Sequence, residues 1–198
     1  MVDKQLGGAG LRGQSAGDTA LCTVGKSGTG LTYRGYDITD LAENASFEEV
    51  AYLIYYGELP DQLQLDGYKK TLKNNRKLPD ELLGVLETIP ASAHPMDVMR
   101  TGCSMLGNLE PEGDFENQQR TANRLLGALP SIINYWYQYS HHQKRIETDT
   151  DEDSLAGHFL KTLLGESPSD LHRRVMDVSL ILYAEHEFNA STFNARVC

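Results

Sequence analysis

Cysteine is scarce in this sequence, and the few cysteines do not form a metal or disulfide pattern. Only Cys22, Cys103 and Cys198 occur among 198 residues, and there is no Cys-x-x-Cys pair. An odd number of widely spaced cysteines gives poor support for a disulfide framework or a structural zinc site. A chain of this length can bury about 70% of its extended surface, so it needs neither.

Long apolar runs and an excess of positive charge are also missing. No segment approaches the roughly 18 apolar residues of a membrane span, and the N-terminus lacks the apolar segment of a signal peptide. The 18 Lys and Arg residues against 28 Asp and Glu residues give a net charge of −10. We therefore expect a cytoplasmic protein that binds neither a membrane nor nucleic acid.

Helical patterning dominates what is present. Residues 1–18 are Gly-rich and predict an extended arm, residues 19–34 predict a β-hairpin, and residues 35–198 predict helices. The expected fold class is therefore all-α, mainly helical, with a short N-terminal β-hairpin. We expect residues 1–198 to form a single helical unit.

Several local signals mark the helix starts, each of them a capping residue or a first-turn proline. They stand at Ser46 (with Glu49 three residues later), Asp61, Pro79-Asp80 and His94-Pro95. A longer helix is predicted over residues 117–139, where Pro130 predicts a kink or a break.

The last predicted helix has an apolar face without a stop signal. Asn189 or Ser191 can cap it, Phe193 and Val197 share one face, and the sequence then ends at Cys198. An apolar stripe left without a partner predicts that the sequence is the first part of a longer chain.

Three features suggest chemistry but have simpler interpretations. Gly25-Lys26-Ser27 is similar to the end of a phosphate-binding loop, yet a strand and not a helix follows, so a hairpin turn is favoured. His141 and His142 point about 100° apart on a helix and cannot easily share a metal, so no metal site is expected. The aromatic run over residues 135–139 predicts either core packing or a dimer interface.

The sharpest polar cluster is Glu185-His186-Glu187, which lies between two predicted helices. His186 precedes the free amides at the start of the next helix, where a carboxylate or carbonyl oxygen binds well. From the residues alone a structural junction is the favoured interpretation, and a carboxylate-binding site is the alternative.

Residues 20–43, 94–106 and 182–197 resemble the citrate synthase family. The similarity extends over nearly the whole sequence from about Gly10 and is closest to the branch that makes 2-methylcitrate. It implies an almost all-helical, homodimeric acyltransferase with a large and a small domain. The implied reaction condenses propionyl-CoA with oxaloacetate and water to 2-methylcitrate and CoA, and it needs no cofactor beyond the CoA thioester. In the family an Asp deprotonates the acyl-CoA α-carbon, one His stabilises the enol and another polarises oxaloacetate.

The resemblance assigns few residues in this sequence. His186 matches the family's first oxaloacetate-binding histidine, Asn189 lies close to a position that lines the same pocket, and Arg12 matches an N-terminal arginine that contacts CoA phosphates. The family segments that carry the catalytic Asp and the other two His have no counterpart here. The resemblance therefore predicts the N-terminal half of a synthase, with part of the large domain, no small domain, no catalytic residue and no activity of its own.

Other interpretations stay open. The sequence is part of a citrate synthase that uses acetyl-CoA, or it is a non-catalytic helical protein that dimerises with a full-length synthase. A module that only binds CoA or a dicarboxylate is a third alternative, for which ligand-induced stabilisation and its loss on replacing His186 are diagnostic.

Overall fold

The computed structural model describes residues 17–25 and 30–197. A small antiparallel sheet comes first, in the order β1 (Cys22–Thr23), β2 (Thr32–Tyr33) and β3 (Tyr36–Asp37). Nine helices follow within the described residues: α1 (Ile38–Asn44), α2 (Phe47–Tyr56), α3 (Gln62–Asn74), α4 (Asp80–Thr88), α5 (Pro95–Leu109), α6 (Gln118–His142), α7 (Leu155–Leu164), α8 (Asp170–Leu182) and α9 (Ala190–Val197). The all-α fold class is confirmed. Of the predicted arm, residues 1–16 lie outside the described part of the chain, and Arg12 lies among them.

The sheet has one strand more than the predicted hairpin. Arg34 and Gly35 have φ angles of 49° and 91°, and they join β2 to β3 as a two-residue turn. Two consecutive positive φ angles are the geometry that suits a tight hairpin, and glycine at the second position makes it accessible. The prediction of helix from residue 35 onward was therefore wrong for Gly35, Tyr36 and Asp37.

The helix starts follow the predicted capping chemistry. Ser46 Oγ accepts a hydrogen bond from the Glu49 amide, and Glu49 accepts one from the Ser46 amide at 2.7 Å. Asp61 forms the same reciprocal arrangement with Gln64. His94 caps α5 through Nδ1, which accepts from the Met96 amide at 3.2 Å. These predictions are confirmed because each depends on side chains only two or three residues away.

The core consists of two clusters joined by α6. One lies among α4, α5 and α6, and the other lies among the sheet, α1, α2, α7 and α8. Helix α6 continues through Pro130 without a break, and it buries Tyr135 and Trp136 in the first cluster. For these two aromatics the structure favours core packing over an exposed interface. No helix in the described part combines the length and apolarity needed to cross a membrane.

Helix α6 lies very close to the end of α3 at Gly127. A Cβ atom at this position would be 2.7 Å from the Leu72 carbonyl oxygen and 2.9 Å from Asn75 Cβ. We expect Gly127→Ala to lower the free energy of unfolding by about 1–3 kcal/mol, because backbone must move to admit the methyl group. Urea unfolding followed by circular dichroism measures this change.

Gly67 provides the matched control for Gly127→Ala. It lies inside α3, and a Cβ atom there would meet nothing within 4 Å. Gly67→Ala should raise the free energy of unfolding by about 0.5–1 kcal/mol, since alanine loses less backbone entropy in a helix. If both substitutions had the same sign, the close helix crossing would not be the cause.

Candidate functional site

The candidate site is the junction between α8 and α9, residues 183–189. His186 is exposed there, and its ring meets the Tyr183 ring edge-on with 6.2 Å between centroids. The structure therefore places the predicted oxaloacetate-binding histidine on an accessible turn between two helices, as the sequence predicted. This position leaves the imidazole free to reach a small molecule.

Local hydrogen bonds explain why the chain turns at this point. The amide of Tyr183 donates to the Ser179 carbonyl at 3.1 Å, and the amide of Ala184 donates to the Ile181 carbonyl at 3.2 Å. These two hydrogen bonds end α8. Glu187 then adopts a φ of 64°, in the left-handed region that a non-glycine residue rarely occupies. This reversal directs the chain into α9.

Asn189 caps α9. Its Oδ1 accepts a hydrogen bond from the Thr192 amide at 2.9 Å, and its backbone carbonyl accepts one from Phe193 at 2.9 Å. The sequence named Asn189 or Ser191 for this role, and the structure selects Asn189. Its position beside His186 is therefore fixed by helix capping, while its part in a substrate pocket stays a prediction.

Two side chains of the sheet contact the junction, and neither contact was predicted from the sequence. The Tyr33 hydroxyl donates to the Ile181 carbonyl at 3.0 Å and accepts from the Glu185 amide at 3.3 Å. Cys22 Sγ accepts from the Glu187 amide at 3.1 Å. Both residues were recognised only as strand residues, because the contacts join positions 152 and 165 residues apart in the sequence.

Burial keeps both of these sheet side chains protonated. It raises the pKa of the Tyr33 hydroxyl, and it also raises the pKa of the Cys22 thiol, to which the nearby Glu185 carboxylate adds. Cys22 Sγ can therefore donate to Glu185 Oε1, which lies 3.6 Å away. The thiol is a hydrogen-bonding group here and not a thiolate nucleophile.

The charges around His186 are mixed. Glu185 and Glu187 flank it in the sequence, and two carboxylates oppose the binding of an anion. The start of α9 contributes a partial positive charge that favours an anion. The Arg196 guanidinium lies on the Phe188 ring, 5.1 Å from its centre. The junction alone can hold a carbonyl or one carboxylate, and further cations are needed for a dicarboxylate.

The other residues that the sequence singled out do not join this site. His141 and His142 are exposed at the end of α6 and pack against Tyr137. Among the described residues, no group of three or more His, Cys, Asp or Glu side chains could hold a metal ion. Gly25 precedes residues 26–29, which are not described, and antiparallel β1 and β2 flank this stretch as a hairpin requires.

Two cavities lie away from the α8–α9 junction. One of about 480 Å³ lies between α5 and α6, where Arg120, Arg124 and Glu110 line it. Another of about 500 Å³ lies beside the segment that follows α6, and both basic and acidic side chains line it. Arg124 is already paired with Glu110 at 2.8 Å, so its charge in the first cavity is largely neutralised.

Comparison with known proteins relates this chain to one family. Residues 10–198 match the family model described as "Citrate synthase, C-terminal domain". The 2-methylcitrate synthase of Shewanella oneidensis is 70% identical over 195 residues, which cover 98% of this chain and 52% of that protein. The 2-methylcitrate synthase 1 of Corynebacterium glutamicum is 37% identical over 205 residues, covering 100% of this chain and 53% of that protein.

Solved structures give the same relation. The citrate synthase of Thermotoga maritima superposes with a TM-score of 0.79 at 30% identity, covering 98% of this chain and 50% of that one. A ternary complex of carboxymethyl coenzyme A and oxaloacetate with the citrate synthase of Thermoplasma acidophilum superposes with a TM-score of 0.82 at 26% identity, covering 91% and 48%. The chain thus spans about half the length of the proteins that it matches.

Proposed function

This chain belongs to the citrate synthase family, and we propose that it forms the N-terminal half of a 2-methylcitrate synthase subunit. The observation that carries the proposal is the 70% identity to the Shewanella oneidensis enzyme over 98% of this chain. Identity at this level across a continuous region supports a shared role in catalysis as well as a shared fold. The exposed histidine between α8 and α9 is consistent with it.

The proposed reaction joins propionyl-CoA to oxaloacetate. The α-carbon of the acyl group loses a proton and forms a bond to the carbonyl carbon of oxaloacetate, whose oxygen takes up a proton. Water then cleaves the thioester and releases the CoA thiol and a carboxylate. The protein is an acyltransferase in this scheme, and the CoA thioester is a substrate, so no other cofactor is required.

The role proposed for this chain is to bind oxaloacetate. His186 donates a hydrogen bond to the substrate, and the first amides of α9 contribute a partial positive charge toward it. Asn189 fixes the start of α9 and lies close to the pocket, and Arg12 contacts the CoA phosphates. The proton-abstracting Asp and the remaining two His belong to the half of the relatives' length that this chain does not span.

The assembly and location are also proposals. A homodimer and a cytoplasmic location agree with the relatives' assignment as bacterial metabolic enzymes and with the small number of cysteines. The alternative for the acyl donor is acetyl-CoA, which would make the parent enzyme a citrate synthase.

A chimera tests the proposed function directly. Residues 1–198 are fused to the remaining half of the Shewanella oneidensis enzyme, and CoA release is measured with oxaloacetate and either propionyl-CoA or acetyl-CoA. We expect the chimera to prefer propionyl-CoA and the 198-residue chain alone to be inactive. His186→Ala in the chimera should raise the KM for oxaloacetate and lower kcat/KM by about 100-fold or more.

The control replaces another histidine outside the site. His172 is exposed on α8, and His172→Ala should leave both kinetic constants unchanged. A folded chimera without activity would contradict the proposed function. So would equal effects of His186→Ala and His172→Ala on the KM for oxaloacetate and on kcat/KM. A preference for acetyl-CoA would support the citrate synthase alternative.

A further inference from the structure

The two side chains that the sheet directs toward the His186 junction are paired with each other. Cys22 and Tyr33 are direct partners in the β1–β2 register, and both are buried, with 3% and 0% of their surface exposed. Because partners in neighbouring strands project from the same face, the sheet presents a thiol and a phenol side by side. Both reach the segment 181–187, which is remote in sequence.

Tyr33 joins the end of α8 to the junction. Its hydroxyl donates to the Ile181 carbonyl at 3.0 Å and lies 3.3 Å from the Leu182 carbonyl. The same oxygen accepts from the Glu185 amide at 3.3 Å. One hydroxyl thus contacts two carbonyls in the last turn of α8 and an amide of the next segment.

Cys22 contacts the two residues that flank His186 in the sequence. Sγ accepts from the Glu187 amide at 3.1 Å and lies 3.6 Å from Glu185 Oε1. Glu187 is the residue with a φ of 64°, a conformation that persists only where its surroundings enforce it. The thiol contact is therefore placed at the strained residue.

We propose that Tyr33 and Cys22 are positioning residues that hold the backbone of His186 ready for oxaloacetate. Their contacts fix the amides of residues 185 and 187, which stand on either side of the histidine. The imidazole of His186 is exposed, whereas the backbone on either side of it is bound by two buried side chains. The inference rests on the proposed function for the role of His186, and it adds the residues that orient it.

The physical consequence is a lower ordering cost on binding. An exposed side chain on a loose turn loses conformational freedom when it grips a ligand, and that loss weakens binding. A turn that is already fixed loses less. Removing the two contacts should therefore weaken the binding of oxaloacetate selectively and leave the binding of the acyl-CoA unchanged.

Tyr33→Phe in the chimera tests the phenol contact. It keeps the buried ring and removes only the hydroxyl. We expect the KM for oxaloacetate to rise by about tenfold, with the KM for propionyl-CoA unchanged within about twofold. The matched control is Tyr135→Phe, since Tyr135 is also buried and its hydroxyl donates to Glu87 at 2.7 Å in the other core cluster. Tyr135→Phe should leave the KM for oxaloacetate unchanged.

Cys22 gives an independent pair of variants. Cys22→Ala removes the acceptor for the Glu187 amide and should raise the KM for oxaloacetate, whereas Cys22→Ser retains a group that both accepts and donates and should restore it at least in part. Rescue by serine distinguishes a hydrogen-bonding role from one of filling space. Failure of serine to restore the KM, with alanine and serine equally impaired, would overturn the role assigned to the thiol.

Amide exchange separates this inference from the proposed function. In the 198-residue chain, Tyr33→Phe should speed hydrogen exchange at the Glu185 amide by about tenfold, and Cys22→Ala should do so at Glu187. Tyr135→Phe should change neither. An inactive parent chimera would contradict the proposed function and leave this measurement intact. Unchanged exchange at both amides, or an oxaloacetate KM unaffected by Tyr33→Phe, would overturn the positioning role.

Discussion

Arg76→Met is expected to lower the free energy of unfolding by about 3–5 kcal/mol, because it removes a buried cation that binds several carbonyl groups. Arg76 follows α3 and is 1% exposed. Its guanidinium donates to the carbonyls of Thr150, Glu152 and Ser154. These residues belong to the segment between α6 and α7, which has no regular structure to satisfy its own carbonyls.

A second buried charge contacts the same segment from the opposite side. Glu48 of α2 is 1% exposed, and its Oε1 accepts from the Leu155 amide at 2.6 Å. Arg76 Nη2 lies 3.1 Å from the Ser154 carbonyl oxygen. The carbonyl and amide belong to one peptide group, so the carboxylate and the guanidinium bind its two ends. Burial raises the pKa of Glu48 and lowers the pKa of Arg76, while the negative charge of Glu48 favours ionisation of Arg76.

Urea unfolding measures the cost of losing Arg76. The control is Arg100→Met on α5, where the side chain is 76% exposed and pairs with Asp97 at 3.0 Å, and it should change the free energy by less than about 0.5 kcal/mol. Arg76→Lys should fall between them because lysine lacks the forked donor geometry. A loss below about 1 kcal/mol for Arg76→Met would contradict the assignment.

Glu48→Gln combined with Arg76→Met tests whether the two charges are coupled. Once the guanidinium is gone, an ionised Glu48 has less opposing charge around it, and the neutral amide removes the resulting penalty. The double variant should therefore be more stable than the sum of the single effects indicates, by about 1 kcal/mol or more. Additive effects would mean that the two residues stabilise the segment independently.

Features that depend on near neighbours were predictable from the sequence. The capping box at Ser46 and the caps at Asp61 and His94 each involve residues two or three positions apart, and the structure has all of them. The β2–β3 turn was missed because Arg34 occupies a position where Asn or Asp normally marks a type I′ turn. The polar sequence of residues 147–153 is typical of an exposed loop, yet Thr148 is buried and its hydroxyl accepts from the Leu78 amide.

The position of the candidate site in the sequence was predictable, but the residues that contact its backbone were not. The polar cluster around His186 and the capping residue Asn189 stand in one short stretch, so the sequence alone identifies a turn before a helix. The Tyr33 and Cys22 contacts join residues that are 152 and 165 positions apart in the sequence. No periodicity within either segment predicts such a contact, because the contact forms only when the sheet packs against the end of α8.

His158 is a buried histidine whose surroundings favour the neutral ring. It is 0% exposed, and its Nε2 and Nδ1 lie 2.9 Å from the hydroxyl oxygens of Ser131 and Thr150. His158 is thus a core residue, and each of its ring nitrogens has a hydroxyl partner. Burial, with a smaller contribution from the charge of Arg76, lowers the pKa of His158 from 6.5 to about 3.

This pKa gives the protein a specific sensitivity to acid. Between pH 6.5 and about 3, the unfolded chain binds a proton at His158 that the folded chain does not bind. Stability contributed by the neutral ring is therefore complete above pH 6.5 and falls as the pH decreases, by about 1.4 kcal/mol per pH unit. From pH 7 to pH 5 the expected loss from this residue is about 2 kcal/mol.

His158→Gln removes the titration while keeping a side chain that can both donate and accept. The variant is expected to be less stable than the parent at pH 7, because the amide does not reproduce the ring's packing, and the difference between the two should narrow by about 2 kcal/mol at pH 5. Urea unfolding at several pH values measures both curves, and titration of the surface carboxylates cancels between them. His172→Gln, on the exposed face of α8, should keep the parent's pH dependence. Parallel curves for His158→Gln and the parent would show that the buried imidazole accepts a proton without unfolding, so that the hydroxyl groups of Ser131 and Thr150 tolerate the charged ring.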